Sequence, residues 1–256
     1  MIERATDWIE AFRLTAASGR LRQSRLRSAL RFVRSIRQFK CQGGRVDLRR
    51  PMLDDADDPA GAAGGHYFHQ DLLVATRIHR AAPRRHLDVG SRVDGFVAHV
   101  ASFRRIEVLD IRPLQPLAHD NIVFRQADLM AGTGVEEGIC DSLSCLHALE
   151  HFGLGRYGDR LDPQGHLLGF ANLCRLLEPG GTLYLSVPIG ASAVHFNAHR
   201  VFAPDEPLRW AEGRLQLAAF DYVDDAGALH LGADVAKTPA LRYGCGIYTL
   251  RKTAPR

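Results

Sequence analysis

The chain has 256 residues, of which 46% are hydrophobic and 24% are charged, so its composition favours one large globular domain with an appendage. No apolar run approaches the roughly 18 residues that a membrane-spanning helix needs. The first residues lack the basic and apolar regions of a signal peptide. The five cysteines are scattered and contain no Cys-x-x-Cys pair, which predicts reduced thiols in a cytoplasmic protein rather than a disulfide framework or a zinc site.

The net charge of +4 is unevenly distributed along the chain. Residues 1–50 carry 13 Lys and Arg against 4 Asp and Glu, whereas residues 51–256 carry 20 against 25. Residues 21–40 contain no Gly or Pro and are predicted to form a helix, which Gly43 and Gly44 end. Its predicted faces are an apolar one with Leu26, Ala29, Val33 and Ile36, and a basic one with Arg20, Arg27, Arg31 and Arg34.

Three interpretations of this basic helix stay open. Its arginines form the solvated face of a lid or oligomer-forming helix, or they contact an anionic membrane surface at the inner face of the membrane, or they bind nucleic acid. The third interpretation is disfavoured, because the helix lacks interleaved aromatic residues for base stacking.

Residues 54–65 are acidic and rich in small residues, which predicts a linker. The expected organisation is a basic helical extension over residues 1–53, this linker, and a second domain over residues 66–256. In that domain, helical segments at 71–80, 94–103 and 163–177 alternate with strand-like runs at 86–90, 106–111, 121–125, 140–146 and 182–187. This alternation predicts an α/β fold with a doubly wound, mostly parallel sheet and helices on both faces. The runs at 217–224 and 244–251 predict a terminal antiparallel hairpin.

Five short motifs follow one another at the ends of these predicted elements. They are Leu87-Asp88-Val89-Gly90, Leu109-Asp110, Ala127-Asp128-Leu129, Leu149-Glu150-His151 and Leu177-Glu178-Pro179-Gly180-Gly181-Thr182-Leu183. In this order, they resemble the motifs of class I S-adenosylmethionine-dependent methyltransferases, and the resemblance covers residues 67–251. It implies a Rossmann-like fold, S-adenosylmethionine as the cofactor and methyl transfer as the reaction.

Two further segments, 150–159 and 196–200, resemble a poorly characterised branch that is known mainly as a domain of unknown function. Members of that branch often look like neighbours of glycan-building enzymes, which implies a small molecule or saccharide as acceptor and oxygen as the methylated atom. The first loop departs from the wider pattern, because Arg92 and Asp94 stand where glycines usually allow close approach to the cofactor. A non-catalytic binding module with the same fold is therefore an alternative.

The resemblance also implies a set of cofactor-binding residues. Asp110 ends the second predicted strand and is expected to bind the ribose hydroxyls. Asp128 and Leu129 are expected to flank the adenine, although Asp128 equally fits a helix cap. Asp88 is expected to orient the first loop or to meet the cofactor's amino group, and its alternative role is to cap a turn. The other expected contacts are Gly90, Ser91, Gly95, Ile111 and His147.

His147, Glu150 and His151 follow the fourth predicted strand, over the expected reaction site. A histidine with a near-neutral pKa suits a general base that removes a hydroxyl proton during methyl transfer. His151 is the candidate for this role. The alternative is that Glu150 and His151 shape the pocket and bind backbone groups.

Candidate acceptor-binding residues lie in two polar loops at the same sheet edge, where loops commonly carry binding sites. Their side chains suit a polyhydroxylated or anionic acceptor. The alternatives are an ordinary long loop and a solvated connection. The residues are Arg156, Tyr157, Asp159, His195, Asn197, His199 and Arg200.

Other functions are less well supported by the sequence. No ligand spacing typical of a metal site occurs, and His66-x-x-His69 lacks partners in sequence, so no metal is expected. A nicotinamide-dependent oxidoreductase is a weaker alternative, because Gly-x-Gly-x-x-Gly is absent. Nucleic-acid binding is not expected, and an oligomer stays open.

Overall fold

The computed structural model describes residues 23–53, 55, 59–132 and 136–253. The chain divides into two compact units, with the boundary between Ala62 and Ala63, inside the predicted linker. In the first unit, helix α1 spans Gln23–Cys41, so the predicted amino-terminal helix is confirmed over its described part. It ends where Gly43 takes φ 86° and donates its N–H to the carbonyl oxygen of Lys40, a left-handed cap that glycine adopts without strain.

The two predicted faces of α1 differ in exposure. Ala29, Val33 and Ile36 are buried, and the exposed arginines are Arg27, Arg31 and Arg34. Arg20 and the side chain of Leu26 lie outside the described residues. Among the helices that the structure describes, none is long and apolar enough to cross a membrane.

The second unit alternates strands and helices. Helices α2 to α5 span His66–Ala81, Ala98–Ala101, Gly165–Leu176 and Glu206–Ala211. Strands β1 to β5 span His86–Val89, Ile106–Asp110, Ile122–Gln126, Cys140–Leu146 and Leu177–Ile189. Strands β6 to β10 span Ala193–His195, His199–Val201, Leu215–Val223, Leu229–His230 and Gly244–Lys252.

Eight of the described strands form one sheet in the order β3-β2-β1-β4-β5-β10-β8-β9, and β6 pairs with β7 in a separate ribbon. Strands β1 to β5 run parallel to one another. Strand β10 enters antiparallel between β5 and β8. The predicted doubly wound, mostly parallel sheet is therefore confirmed, and its parallel strands direct their carboxyl ends to one edge.

Side chains along the central strands alternate between two hydrophobic cores, as the two-residue period of a strand requires. Leu183 and Leu185 of β5 belong to one core, with α4 and α5 packed on it. Tyr184 and, from β10, Ile247 belong to the other, which α2 and the segment around Phe96 cover. Helices thus cover both faces of the sheet, as predicted.

Three elements differ in detail from the prediction. The helix expected at 94–103 is a π-turn over Val93–Val97 followed by the single turn of α3, because Gly95 takes non-helical angles of φ −117° and ψ −114°. The Leu-Glu-Pro-Gly-Gly segment belongs to β5 and shifts its register against β4. The two late strands do pair antiparallel, but β9 intervenes between them along the chain.

Candidate active site

Two adjoining cavities lie at the carboxyl edge of the parallel strands, and five residues contribute to both. These are Gly90, Arg112, His147, His151 and Tyr157. The first cavity has an apolar lining from the ends of β1 and β2 and from the segment after β3, including Val89, Leu109, Ile111, Leu129 and Met130. The second cavity is bounded by the first loop, the start of α2 and the loops after β4 and β9.

The residues predicted to bind the cofactor are divided between these cavities. Gly90, Asp110, Ile111, Asp128, Leu129 and His147 line the first cavity. Ser91 and Gly95 line the second, and Asp88 lines neither. The structure therefore brings most of the predicted set to one edge, and the contact of each with a cofactor stays a prediction.

Asp88 lies beneath the first loop and is completely buried. Its carboxylate accepts hydrogen bonds from the backbone N–H and the hydroxyl of Ser91, at 3.1 and 2.8 Å, and from the hydroxyl of Ser144 at 2.5 Å. Burial raises the pKa of Asp88 to about 7 even though these bonds oppose the shift. In this arrangement Asp88 ties the first loop to β4.

The first loop turns at Gly90, whose φ of 75° favours glycine. A Cβ atom at Gly90 would lie 2.8 Å from the Cβ atom of Ala148, so the glycine also lets the loop after β4 pack closely. Arg92 and Asp94, which replace the usual glycines, form an exposed ion pair with each other at 2.6 Å. The departure from the glycine pattern is thus accommodated at the surface of the loop.

Asp110 ends β2, as predicted, but its carboxylate is engaged by the chain itself. It accepts three hydrogen bonds from Arg112: from the backbone N–H at 2.8 Å, from Nε at 3.0 Å and from Nη2 at 2.6 Å. The guanidinium of Arg112 also lies 4.4 Å from the ring centroid of Tyr157. A ligand hydroxyl that binds Asp110 must therefore share this carboxylate with Arg112 or displace it.

Asp128 stands at the far side of the first cavity, next to Leu129. Its Oδ1 accepts hydrogen bonds from the N–H groups of Met130 at 2.8 Å and Ala131 at 3.2 Å, which is the turn-capping geometry of an Asp side chain. Both of these bonds use Oδ1, so Oδ2 takes no part in the cap.

His147 follows β4 directly and has φ 47°, a left-handed conformation that is uncommon for residues other than glycine. Its Nδ1 lies 2.9 Å from Oε1 of Glu150, and both side chains are buried. Burial lowers the pKa of His147, but Cys245 and Glu150 outweigh it and raise the net pKa above its usual value. Among the described residues, neither Nε2 of His147 nor Oε2 of Glu150 has a hydrogen-bond partner.

His151 lies on the border of the two cavities, in a 3-10 turn formed by Leu149–His151. Its Nδ1 lies 2.6 Å from the carbonyl oxygen of Ala198, so Nδ1 carries the proton and Nε2 carries the lone pair. Burial lowers the pKa of His151 below its usual value, although Glu150 opposes the shift. The imidazole is therefore neutral at pH 7 and able to accept a proton through Nε2.

Two residues of the loop after β4 approach His151. The ring of Tyr157 meets His151 edge to face, with centroids 5.4 Å apart. Nη1 of Arg156 lies 3.3 Å from Nδ1 of His151 and donates a hydrogen bond to the carbonyl oxygen of Ala198 at 3.1 Å. Asp159 accepts hydrogen bonds from the N–H groups of Gly153 and Tyr157 at 2.7 and 3.2 Å. Tyr157 thus lines both cavities, and Asp159, which organises the loop, lines the first.

The second predicted polar loop contributes unequally. His199 lines the second cavity, whereas His195, Asn197 and Arg200 line neither of the two. Asn197 occupies a left-handed turn, with φ 59°. Arg200 is buried and donates to four backbone carbonyl groups, with its shortest bond, 2.6 Å, to Phe152. Arg200 therefore fixes the loop after β4 in place.

Sequence reasoning missed several residues of the second cavity, among them Tyr67, Gln70, Asp71 and Tyr243. Gln70 and Asp71 lie on the buried face of α2 together with Val74 and Ile78. Two polar residues on the apolar face of a helix were a signal that could have indicated the site. Burial raises the pKa of Asp71.

Comparisons with known proteins address the fold. The family model described as "Caenorhabditis protein of unknown function, DUF268" matches residues 127–225, which include the His147–His151 segment and the β6–β7 ribbon but not the first loop. No curated protein matches the chain. The structure is similar to that of a protein provisionally assigned as a sarcosine dimethylglycine methyltransferase from Galdieria sulphuraria, with TM-score 0.51, 14% identity, and coverage of 72% of this chain and 86% of that one.

A second solved structure, of a methyltransferase provisionally assigned in Bacillus halodurans, has TM-score 0.50 and 13% identity, and it covers 70% of this chain and 99% of that one. The chain has the class I methyltransferase fold. The [4+2]-cyclase SpnF has a similar structure as well, with TM-score 0.53, 16% identity, and coverage of 84% and 92%. Because a protein named for cyclisation shares the fold, the reaction must be argued from the site.

Proposed function

We propose that this protein transfers a methyl group from S-adenosylmethionine to a hydroxyl of a small molecule or saccharide. The observation that carries the proposal is the placement of His151. His151 lines both the cavity with Asp110 and Leu129 and the adjoining polar cavity. This position supports a proton acceptor between the proposed cofactor site and the proposed acceptor site.

The residues of the first cavity fit S-adenosylmethionine. Leu109, Ile111 and Leu129 provide an apolar slot for a planar base, and Asp110 provides two carboxylate oxygens for a ribose diol. The turn at Gly90 lets the backbone approach a ligand without a side chain between them. When bound, the cofactor supplies an electrophilic methyl group on a sulfonium.

In the proposed reaction His151 acts on the acceptor. The carbonyl of Ala198 holds Nδ1–H, so Nε2 would accept the hydroxyl proton while the oxygen–carbon bond forms and the methyl–sulfur bond breaks. Glu150, whose Oε1 lies 3.7 Å from Nε2, stabilises the imidazolium that results. The remaining contribution is alignment of the acceptor oxygen with the methyl group and exclusion of water.

The second cavity supports a polar acceptor. Tyr67, Tyr157 and Tyr243 offer rings and hydroxyls, and Arg156 and His199 offer hydrogen-bond donors. Rings beside directed donors suit a saccharide, whose faces are apolar and whose edges carry hydroxyls.

Calorimetric titration with S-adenosylhomocysteine, in parallel with NAD, tests the cofactor. Saturable binding of S-adenosylhomocysteine alone is expected. No binding at millimolar concentration would overturn the enzyme proposal, and binding of NAD alone would favour an oxidoreductase. A screen of sugars and nucleotide sugars with methyl-labelled cofactor then identifies the acceptor.

A second candidate function is a non-catalytic binding module. The ion pair between Asp110 and Arg112 favours it, because the carboxylate expected to bind ribose already has a partner. Cofactor binding without methyl transfer to any acceptor, or no cofactor binding at all, would support this candidate.

The role of α1 is a further proposal. Because its apolar residues are buried and its arginines exposed, we propose that contact with an anionic membrane surface is electrostatic rather than insertive. Such binding to anionic vesicles should disappear at high salt.

A further inference from the structure

Three side chains that lie far apart in sequence meet beside the second cavity. His66 is the first residue of α2, His147 follows β4, and Cys245 is the second residue of β10. One nitrogen of each histidine and the sulfur of the cysteine all lie within 4.8 Å of one another. Imidazole and thiol are the ligand types that bind zinc and related borderline-soft ions.

His147 has features that are typical of a metal-binding histidine. Its Nδ1 is held by the buried carboxylate of Glu150 at 2.9 Å, and its Nε2 is buried with no hydrogen-bond partner among the described residues. Histidines that bind metals commonly use one nitrogen for the ion and donate the other N–H to a carboxylate. The left-handed backbone of His147, at φ 47°, is a strained conformation of the kind found at functional sites.

Cys245 has a fixed position, and its sulfur makes only weak hydrogen bonds. It is fully buried in a strand that pairs on both sides, with Pro188 of β5 and Val223 of β8. Its sulfur has two long contacts, 3.8 Å to Oε1 of Gln70 and 3.9 Å to the carbonyl oxygen of Gly246. Both contacts are weak. The sulfur also interacts with His147 and raises the pKa of that imidazole, and an ion bound to both groups would replace this interaction.

His66 is the adjustable member of the cluster. It is only partly buried, and its ring stacks between His147 at 5.3 Å and Tyr243 at 5.4 Å. Ligand atoms of tetrahedral zinc lie about 3.3–3.7 Å apart, given bond lengths of about 2.0–2.3 Å. The cluster must therefore close by about 1 Å, with the His66 ring turning out of its stack.

We propose that His66, His147 and Cys245 bind a divalent cation of the zinc class, with Glu150 orienting His147. Three protein ligands leave a fourth position open, as in zinc sites that take water or substrate. Of the three ligands, His147 lines the second cavity, and we expect the open position to be reached from that cavity. The metal site does not depend on the proposed methyl transfer. If methyl transfer is correct, an acceptor oxygen at that position would be polarised beside His151.

Metal binding by the full chain, without cofactor, tests the proposal. The protein is freed of metal with a chelator and titrated with Zn²⁺ against a chromophoric chelator, and with Co²⁺ followed by absorption. One equivalent of each ion is expected, and Co²⁺ should give a thiolate charge-transfer band together with the visible bands of tetrahedral coordination.

Three variants assign the ligands. Cys245→Ser should remove the thiolate band, and His66→Ala should weaken Zn²⁺ binding more than the 10–100-fold expected for Glu150→Gln. Cys41→Ser, which removes an exposed cysteine, should bind as the wild type does. His66→Ala keeps the test valid if Cys245→Ser fails to fold, because His66 is only partly buried.

No stoichiometric binding, or a thiolate band that Cys41→Ser removes and Cys245→Ser leaves in place, would overturn the metal site. Titration of the same preparations with S-adenosylhomocysteine separates the two proposals. Binding of S-adenosylhomocysteine without binding of metal would overturn only the proposed metal site. Binding of metal without binding of S-adenosylhomocysteine would overturn only the proposed methyl transfer.

Discussion

The two sides of the cleft differ in how far the chain satisfies its own polar groups. On the side of β1, β2 and β3, the carboxylates of Asp88, Asp110 and Asp128 all accept hydrogen bonds from the protein. On the side of β4, Nε2 of His147 and Oε2 of Glu150 are buried without a partner among the described residues. Buried polar groups are rarely left unpaired, because each costs about 1–3 kcal/mol.

From this difference we expect that ligands at the two sides would be bound in different ways. When a ligand binds Asp110, the carboxylate exchanges one hydrogen-bond partner for another. The net free energy of binding at this residue is therefore the difference between the two interactions. A ligand that binds Nε2 of His147 displaces no hydrogen-bond partner among the described residues. The β4 side is therefore the part of the cleft where a ligand or an ion adds most to stability.

The largest expected effect is on the β4 side, at the proposed base. His151→Ala should lower the turnover of the identified acceptor by about 10²–10⁴-fold, while the affinity for S-adenosylhomocysteine changes little. Because the pKa of His151 is lowered, the wild-type rate should rise with pH only below the usual range of imidazole and be constant at neutral pH. His119→Ala, in an exposed loop, is the matched control.

A His151→Ala variant with full turnover and an unchanged pH profile would limit His151 to shaping the pocket. Methyl transfer would then depend on alignment alone, as it can when the acceptor is already nucleophilic.

The second effect concerns Asp88, the most completely buried of the three carboxylates. Its pKa of about 7 in the fold, against about 3.9 when unfolded, means that the folded state binds an extra proton between these values. Stability from this group is therefore present below about pH 4 and is lost as pH rises through about 7. The loss is on the order of 4 kcal/mol, at about 1.4 kcal/mol per pKa unit.

Asp88→Asn keeps the shape of the side chain and stays neutral at every pH. The free energy of unfolding of this variant should therefore lack the decline with rising pH that Asp88 causes. Urea unfolding at several pH values from 4 to 8 measures the difference between variant and wild type. Asp120→Asn, at an exposed aspartate, should keep the wild-type slope. A constant difference between Asp88→Asn and wild type across this range would show that Asp88 is ionised throughout.

The fold was predictable because its pattern is local. Short apolar runs separated by helical segments predict a parallel sheet with both faces covered, and the consecutive residues Leu183, Tyr184 and Leu185 do alternate between two cores. The positions of Asp110 and His151 followed from the same pattern, since Asp110 lies at the end of one predicted strand and His151 follows another.

The detail of the site was not predictable, because it depends on contacts between distant segments. The sequence gives no indication that Cys245 meets His66 and His147, because the order of β5, β10 and β8 in the sheet decides this. The role of Arg200 depends likewise on carbonyl groups in another loop. The pairing of Arg112 with Asp110 was easier to predict from the sequence. Arg and Asp two residues apart also pair at Asp47 and Arg49 and at Arg92 and Asp94.

The third expected effect is on the side of β1, β2 and β3, where the carboxylates already accept hydrogen bonds from the protein. Asp110→Ala removes the acceptor expected for ribose and should weaken S-adenosylhomocysteine binding by about 2–3 kcal/mol, the range for hydrogen bonds to a charged group. Calorimetry measures this directly, and Asp120→Ala provides the control. Unchanged affinity in Asp110→Ala would place the ligand elsewhere and remove the main support for the first cavity as a cofactor site.

The smallest expected effect tests directly whether Arg112 competes with a ligand for Asp110. If the ligand must take Asp110 from Arg112, then Arg112→Ala removes the competitor and should tighten S-adenosylhomocysteine binding by about 1 kcal/mol, the typical net value of an exposed ion pair. The gain is small because the side chain of Arg112 is 42% exposed, so water already screens the pair. The double variant Asp110→Ala/Arg112→Ala should show no gain over Asp110→Ala, since the competitor matters only while the carboxylate is present. Weaker binding in Arg112→Ala alone would mean that the guanidinium contacts the ligand directly. A ligand would then supply a partner to a polar group on the side of β2, as is expected on the side of β4.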